Sequence, residues 1–345
     1  MDLGRCHEDK KNSREVSKVC TVKQLPTPDT ARAALARISK YIRRTPTLRD
    51  TDTAYKLEFL QVTGSFKPRG AFNAALQLEG ERRRSGIVAV SGGNHGLAIA
   101  HVGKELGIPA SVLMPETTPA HIVQRARADD AEVILVKTIA DAFSEMEARA
   151  AAGQASIHPF DDERVMAGQG TIGLELLEDV PDLATLIVSV GGGGLISGIA
   201  SVVKALAPTV RIYGVETRGA DAMRQALDAG HPVTLPAITS IARTLGAPSV
   251  SETSLRAAEA LLEDVIVVSD TEAVQSIIQL QQSLHVTVEP AASCCHAALR
   301  LELVPRPARG STVILLCGGN VMLDEIEAWR RTFLPVPASI GAARN

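Results

Sequence analysis

Four consecutive glycines, Gly191, Gly192, Gly193 and Gly194, separate an apolar β-branched run at residues 186–190 from an amphipathic segment at residues 195–206. A tight strand-to-helix turn needs one or two glycines. Four let successive backbone N–H groups converge on an anion while the helix N-terminus adds favourable potential. The spacing is not that of a dinucleotide fingerprint, and no Lys-Ser/Thr pair follows as in a nucleotide P-loop. The expectation is therefore a phosphate cradle in an α/β sheet.

The same alternation organises the rest of the chain. Residues 87–90, 110–114 and 132–136 read as strands, residues 95–106 and 120–128 as helices, and Gly107, Pro109, Pro115 and Pro119 mark the breaks. That is a compact three-strand unit. Further strands are expected at 186–190, 210–216, 265–269 and 313–317, with helices starting at Leu195, Asp221 and Thr271. With 345 residues the chain exceeds the roughly 100 to 200 of one ordinary domain, so two lobes or one large α/β unit are expected, and the alternation above favours two lobes. Residues 24–85 plus 160–335 form the larger, residues 86–159 the smaller, and residues 1–23 and 336–345 are tails. A ligand site between lobes follows.

Composition removes several function classes. A net charge of −3 offers no basic field for nucleic acid, and no apolar stretch approaches the roughly 20 residues that cross a bilayer. The first 20 residues hold no apolar core that a translocon recognises. Cys6, Cys20, Cys294, Cys295 and Cys317 show no metal-type spacing and read as reduced thiols of a cytoplasmic protein.

Three more motifs carry chemistry. In Gly64-Ser65-Phe66-Lys67-Pro68-Arg69-Gly70 a lysine sits between an apolar ring and a proline; desolvation there would make its amine a nucleophile. Ser91-Gly92-Gly93-Asn94-His95-Gly96 follows a strand and opens a helix, which suits a carboxylate. His95 reads as a local hydrogen-bonding residue rather than a base. Cys317-Gly318-Gly319-Asn320 ends the last strong strand, where ligands of α/β sheets bind.

Together with Gly168-Gln169-Gly170-Thr171 and Glu289-Pro290-Ala291, these motifs resemble the serine/threonine dehydratase branch of the tryptophan-synthase-β-like fold, pyridoxal-phosphate fold type II. The likeness runs from about residue 25 to 323 and is nearest to threonine ammonia-lyases. It implies two lobes of mainly parallel sheet covered by helices, with pyridoxal 5'-phosphate between them. By the resemblance Lys67 holds the cofactor as a Schiff base, Phe66 and Asn94 flank its ring, Gly191 to Leu195 hold its phosphate, and Cys317 faces the ring nitrogen. Ser91, Gly92, Gly93, Asn94 and His95 would bind the amino-acid substrate, and Glu216 with the Ala220 carbonyl a cation. A homodimer is the family habit.

The implied reaction is α,β-elimination from L-threonine, L-serine or a related β-hydroxy amino acid, giving a 2-oxo acid and ammonia. A serine racemase and a non-catalytic cofactor-binding relative are the alternatives. Racemases of this family resemble this chain but carry a second serine, the opposite-face base, where Gly92 stands. Phe160 stands where racemase-like members have Asn. Residues 46–56 are shorter than the family pattern, which implies a lost helical turn near the entrance. Arg243 either meets a second carboxylate or lies on a solvated loop.

Overall fold

Ten strands form two sheets in the computed structural model, which describes residues 23–335. The expected tails, with Cys6 and Cys20, lie outside the described residues except for Lys23. In chain order the strands are β1 (Thr47–Asp50), β2 (Thr53–Lys56), β3 (Ile87–Val90), β4 (Ala110–Pro115), β5 (Glu132–Val136), β6 (Ala155–Ser156), β7 (Leu183–Ser189), β8 (Arg211–Thr217), β9 (Asp264–Val268) and β10 (Ser311–Leu315). The larger sheet runs β1-β2-β10-β7-β8-β9 and the smaller β5-β4-β3-β6. Every pairing between these strands is parallel except β1 with β2.

The central strands are apolar because helices cover both faces of the sheet. Ile187, Val188, Val313, Ile314 and Leu315 are all fully buried. The small sheet has four strands where three were expected. β6 spans two residues, too short to leave a periodic signal, and pairs through Ala155 with Ile87. The short stretch at 46–56 is an antiparallel hairpin on the edge of the large sheet, turning at Thr51 with φ +51°.

The helix Lys67–Ala75 joins the two cores. Phe66, at its N-cap, packs into the core of the large sheet, while Ala71, Phe72, Ala74 and Ala75 pack into that of the small sheet. Lys67 thus stands at the seam between them.

What fixes this helix is a buried ionic network. Arg69 is fully buried and forms two bonds to each of two carboxylates: Nε and Nη2 to Glu58 at 2.9 and 2.8 Å, Nη1 and Nη2 to Glu175 at 2.7 and 2.9 Å. Its Nη1 also donates to Thr171 Oγ1 at 3.0 Å, which gives the Gly168-Gln169-Gly170-Thr171 motif its task. Lys56, at the end of β2, reaches Glu175 Oε2 at 2.7 Å and the Thr45 carbonyl at 2.8 Å. Burial works against the Glu175 charge, but Arg69 and Lys56 outweigh it and hold the carboxyl below its ordinary range.

Removing the guanidinium strands two carboxylates without their partner. Arg69→Met is expected to cost about 3–5 kcal/mol of stability, the usual cost of breaking a buried ion pair. Urea unfolding monitored by circular dichroism checks this; a loss under about 1 kcal/mol, the size of an exposed pair, would contradict the network's role.

Candidate active site

The tetraglycine turn links β7 to the helix Gly194–Leu206. Gly193 has φ +91°, a conformation a side chain strains, and a Cβ on Gly192 would fall 2.2 Å from the Phe160 ring. The first N–H groups of the helix have no partner within it and point into the turn. The result is a concave, donor-rich cradle with Phe160 closing one side.

Facing the cradle, Lys67 Nζ donates to the Pro159 carbonyl at 2.9 Å and lies 4.9 Å from the centre of the Phe66 ring. Desolvation lowers its pKa to about 8, opposed in part by Cys317 and Glu289. About a tenth of the amine is therefore unprotonated and nucleophilic at pH 7, far more than of an ordinary lysine.

Opposite the cradle runs a hydrogen-bond network. Asn94 Nδ2 and Thr244 Oγ1 both donate to Glu289 Oε1, at 2.8 and 3.0 Å, and Asn320 Nδ2 donates to Asn94 Oδ1 at 2.6 Å. Glu289 Oε2 is buried without a partner. Burial pushes the Glu289 carboxyl up to about 7, against the pull of Thr244 and Asn94. At the sheet end Ser189 donates to Cys317 Sγ at 3.3 Å, and burial pushes that thiol up, so it stays neutral.

Phe66, Lys67, Asn94, the segment from Gly191 to Leu195, and Cys317 line one chamber. The structure therefore brings together the residues expected at the cofactor. The substrate loop is placed differently. Gly92 lines a second chamber that shares Thr244 and Glu289 with the first, while Ser91, Gly93 and His95 line neither. Ser91 Oγ accepts from the Gly93 N–H at 3.2 Å. His95 Nε2 pairs with the Ile157 carbonyl at 2.9 Å, and burial followed by the Lys67 charge lowers its pKa to about 3, so the ring is neutral.

Glu216 and Ala220, expected at a cation, sit at the end of β8 and just after it. Both Glu216 oxygens accept backbone N–H groups at the N-terminus of the helix Ala222–Ala229, from Met223 at 2.9 Å and Arg224 at 2.8 Å, yet burial outweighs these bonds and pushes the carboxyl up to about 8. Ala220 forms a backbone bridge with Thr217, and no cluster of three or more His, Cys, Asp or Glu suited to a metal occurs among the described residues. Arg243 is exposed and lines the second chamber.

Ser189, Thr244 and Glu289 were given no site role from sequence. Ser189 ends β7 directly before the glycines, a positional signal that was available. Glu289 was in view within Glu-Pro-Ala, but only its contact with Asn94, 195 residues away, reveals its place.

Comparison with known proteins decides the family. The family model described as "Pyridoxal-phosphate dependent enzyme" matches residues 38–318. The chain belongs to this family. It is 37% identical over 294 residues to phenylserine dehydratase of Ralstonia pickettii, covering 83% of this chain and 90% of that one. It is 36% identical over 300 residues to L-threonine ammonia-lyase of Geobacter sulfurreducens, covering 84% and 74%. The structure of maize serine racemase superposes with a TM-score of 0.84 at 34% identity, covering 90% of this chain and 98% of that one. These relatives share the two-lobed, mainly parallel tryptophan-synthase-β-like fold. No helix among the described residues is long and apolar enough to cross a membrane.

The chamber fits the family's cofactor. The cradle suits a phosphate, the Lys67 amine an aldehyde, and the partnerless Glu289 oxygen a polar group on a ring. In protein stripped of cofactor, capture of pyridoxal phosphate by Lys67 should quicken about tenfold from pH 7 to pH 9 and then level off, as the unprotonated fraction of an amine titrating near 8 does. Stopped-flow absorbance follows the rate. A rise that continues unabated to pH 10 would mean an ordinary lysine.

Proposed function

We propose that the protein is a dehydratase of the ammonia-lyase type, converting L-threonine, L-serine or a related β-hydroxy amino acid to a 2-oxo acid and ammonia by α,β-elimination. The observation that carries this reading is one-sided: Lys67 supplies a deprotonatable amine in the chamber, and position 92, on the substrate loop, supplies nothing. Racemisation needs proton exchange on both faces of the α-carbon. Gly92 has no side chain to provide the second.

Pyridoxal phosphate, when bound, supplies an electron-withdrawing ring that acidifies the α-hydrogen of an attached amino acid. The chain's own residues do the rest. The tetraglycine turn and the helix behind it bind the phosphate. Lys67, oriented by the Pro159 carbonyl, takes the α-proton at Nζ. Asn94 is held in place by Glu289 and Asn320, and Cys317 would offer a bound ring a neutral thiol rather than a carboxylate.

The second chamber bears on the substrate. It opens beside Thr244 and Glu289, with the apolar side chains of Pro119, Ile241, Val321 and Trp329 among its walls. The likeness to a phenylserine dehydratase supports testing aryl substrates beside aliphatic ones. Serine and threonine differ by a methyl, a choice worth only about 1–3 kcal/mol in an apolar pocket.

A panel of L-serine, L-threonine, L-threo-phenylserine and L-threo-3-hydroxyaspartate, assayed for 2-oxo acid, tests the reading. At least one should turn over, and Lys67→Ala should lower that rate by roughly 10³-fold or more through loss of base and nucleophile. Full activity in the variant would refute the assignment of Lys67.

A further inference from the structure

The bare Cα of Gly92 has a neighbour. A Cβ placed there would come within 2.4 Å of Thr118 Oγ1 and 3.3 Å of Pro115 Cδ. Thr118 lies in the turn after β4, where its N–H donates to the Pro115 carbonyl at 2.9 Å. Its hydroxyl is shielded from solvent and has no hydrogen-bond partner in the protein. Thr118→Ala therefore breaks no side-chain hydrogen bond within the protein. Threonine is β-branched and stiff at χ1, so Oγ1 does not swing aside freely.

Position 92 and Lys67 approach the site from different sides. Lys67 lines the first chamber, Gly92 the second, and the two meet at Thr244 and Glu289. Whatever fills the space over Gly92 governs what meets the substrate away from Lys67.

We propose that Thr118 determines reaction specificity: it occupies the volume that a side chain at position 92 needs. This rests on the dehydratase reading above. Thr118 is no substitute base. An aliphatic hydroxyl accepts or yields a proton near neutral pH only when a base activates it. Thr118 has no such partner, and the Nε2 of His121, three residues on, is unpaired as well. A serine introduced at position 92 alone lacks room until Thr118 is shortened.

The test compares Gly92→Ser, Thr118→Ala and the double variant with the wild type, all as holoenzymes. The first readout is the thermal midpoint without substrate. Gly92→Ser should lower it by about 3 °C or more through overpacking. In the Thr118→Ala background the same substitution should cost less than half as much, the mark of two groups competing for one space. The second readout is D-serine formed from L-serine in deuterated water. The double variant should form it at least 10-fold faster than Gly92→Ser alone. An equal midpoint loss in both backgrounds, or equal D-serine rates including both at zero, overturns the proposal. Absence of 2-oxo acid from the wild type across the substrate panel would instead sink the dehydratase reading. The midpoints would still decide whether Thr118 holds the space over Gly92.

Discussion

The site depends on a guanidinium with no access to water. Arg69 is buried, and taking such a charge out of solvent costs several kcal/mol unless every donor finds a partner. Here Glu58, Glu175 and Thr171 meet it. These residues come from a 3-10 turn and from the helix Glu163–Asp179, so the network pins the helix Lys67–Ala75 to both. Lys67 lies two residues before Arg69, in the helix's first turn. Its amine is placed by that attachment. The edge hairpin takes part too, since β2 ends at Lys56, which completes the charge on Glu175. A segment that reads from sequence as a shortened entrance is structurally the delivery of a buried cation.

With the amine fixed, the parallel sheet supplies the other half of the site. β7 and β10 are neighbours and run in one direction, so both end on the same edge, one leading into the tetraglycine turn and the other into Cys317. Ligands of α/β sheets bind in such crevices at the carboxyl ends of strands. The seam between the two cores then desolvates what lies within it. Lys67 is lowered to about 8 and Glu289 raised to about 7 by the same exclusion of water, each toward its neutral form. Each lies within reach of neutral pH, where proton transfer is most efficient.

Local chemistry explains what was legible in the sequence. Glycine runs and β-branched runs are strong signals because they restrict or free the backbone directly; β3 and β5 match their expected bounds, and the glycine cradle stands where it was placed. The helix Ala120–Ala128 also matches, bounded as it is by Pro119. What escaped has no local signature. β6 is two residues long, and the hairpin turns at Thr51 without an Asn-Gly or Asp-Gly pair. The Asn94–Glu289–Thr244 network joins residues far apart in the chain, and only the fold brings them together.

Charge and space divide the control of this site between them. At the sheet end Cys317 presents a thiol that burial keeps neutral, where a carboxylate would carry a fixed negative charge. A ring held against such a neutral group would withdraw electrons less strongly, which accords with the elimination proposed above. At the opposite end the control is steric: Gly92 is bare, and Thr118 fills the space above it. Neither feature selects between a methyl and a larger side chain, which concerns the walls of the second chamber around Trp329 and Val321. Reaction type and substrate choice therefore rest on different residues, and relatives that share the cradle and the lysine are free to differ in either one.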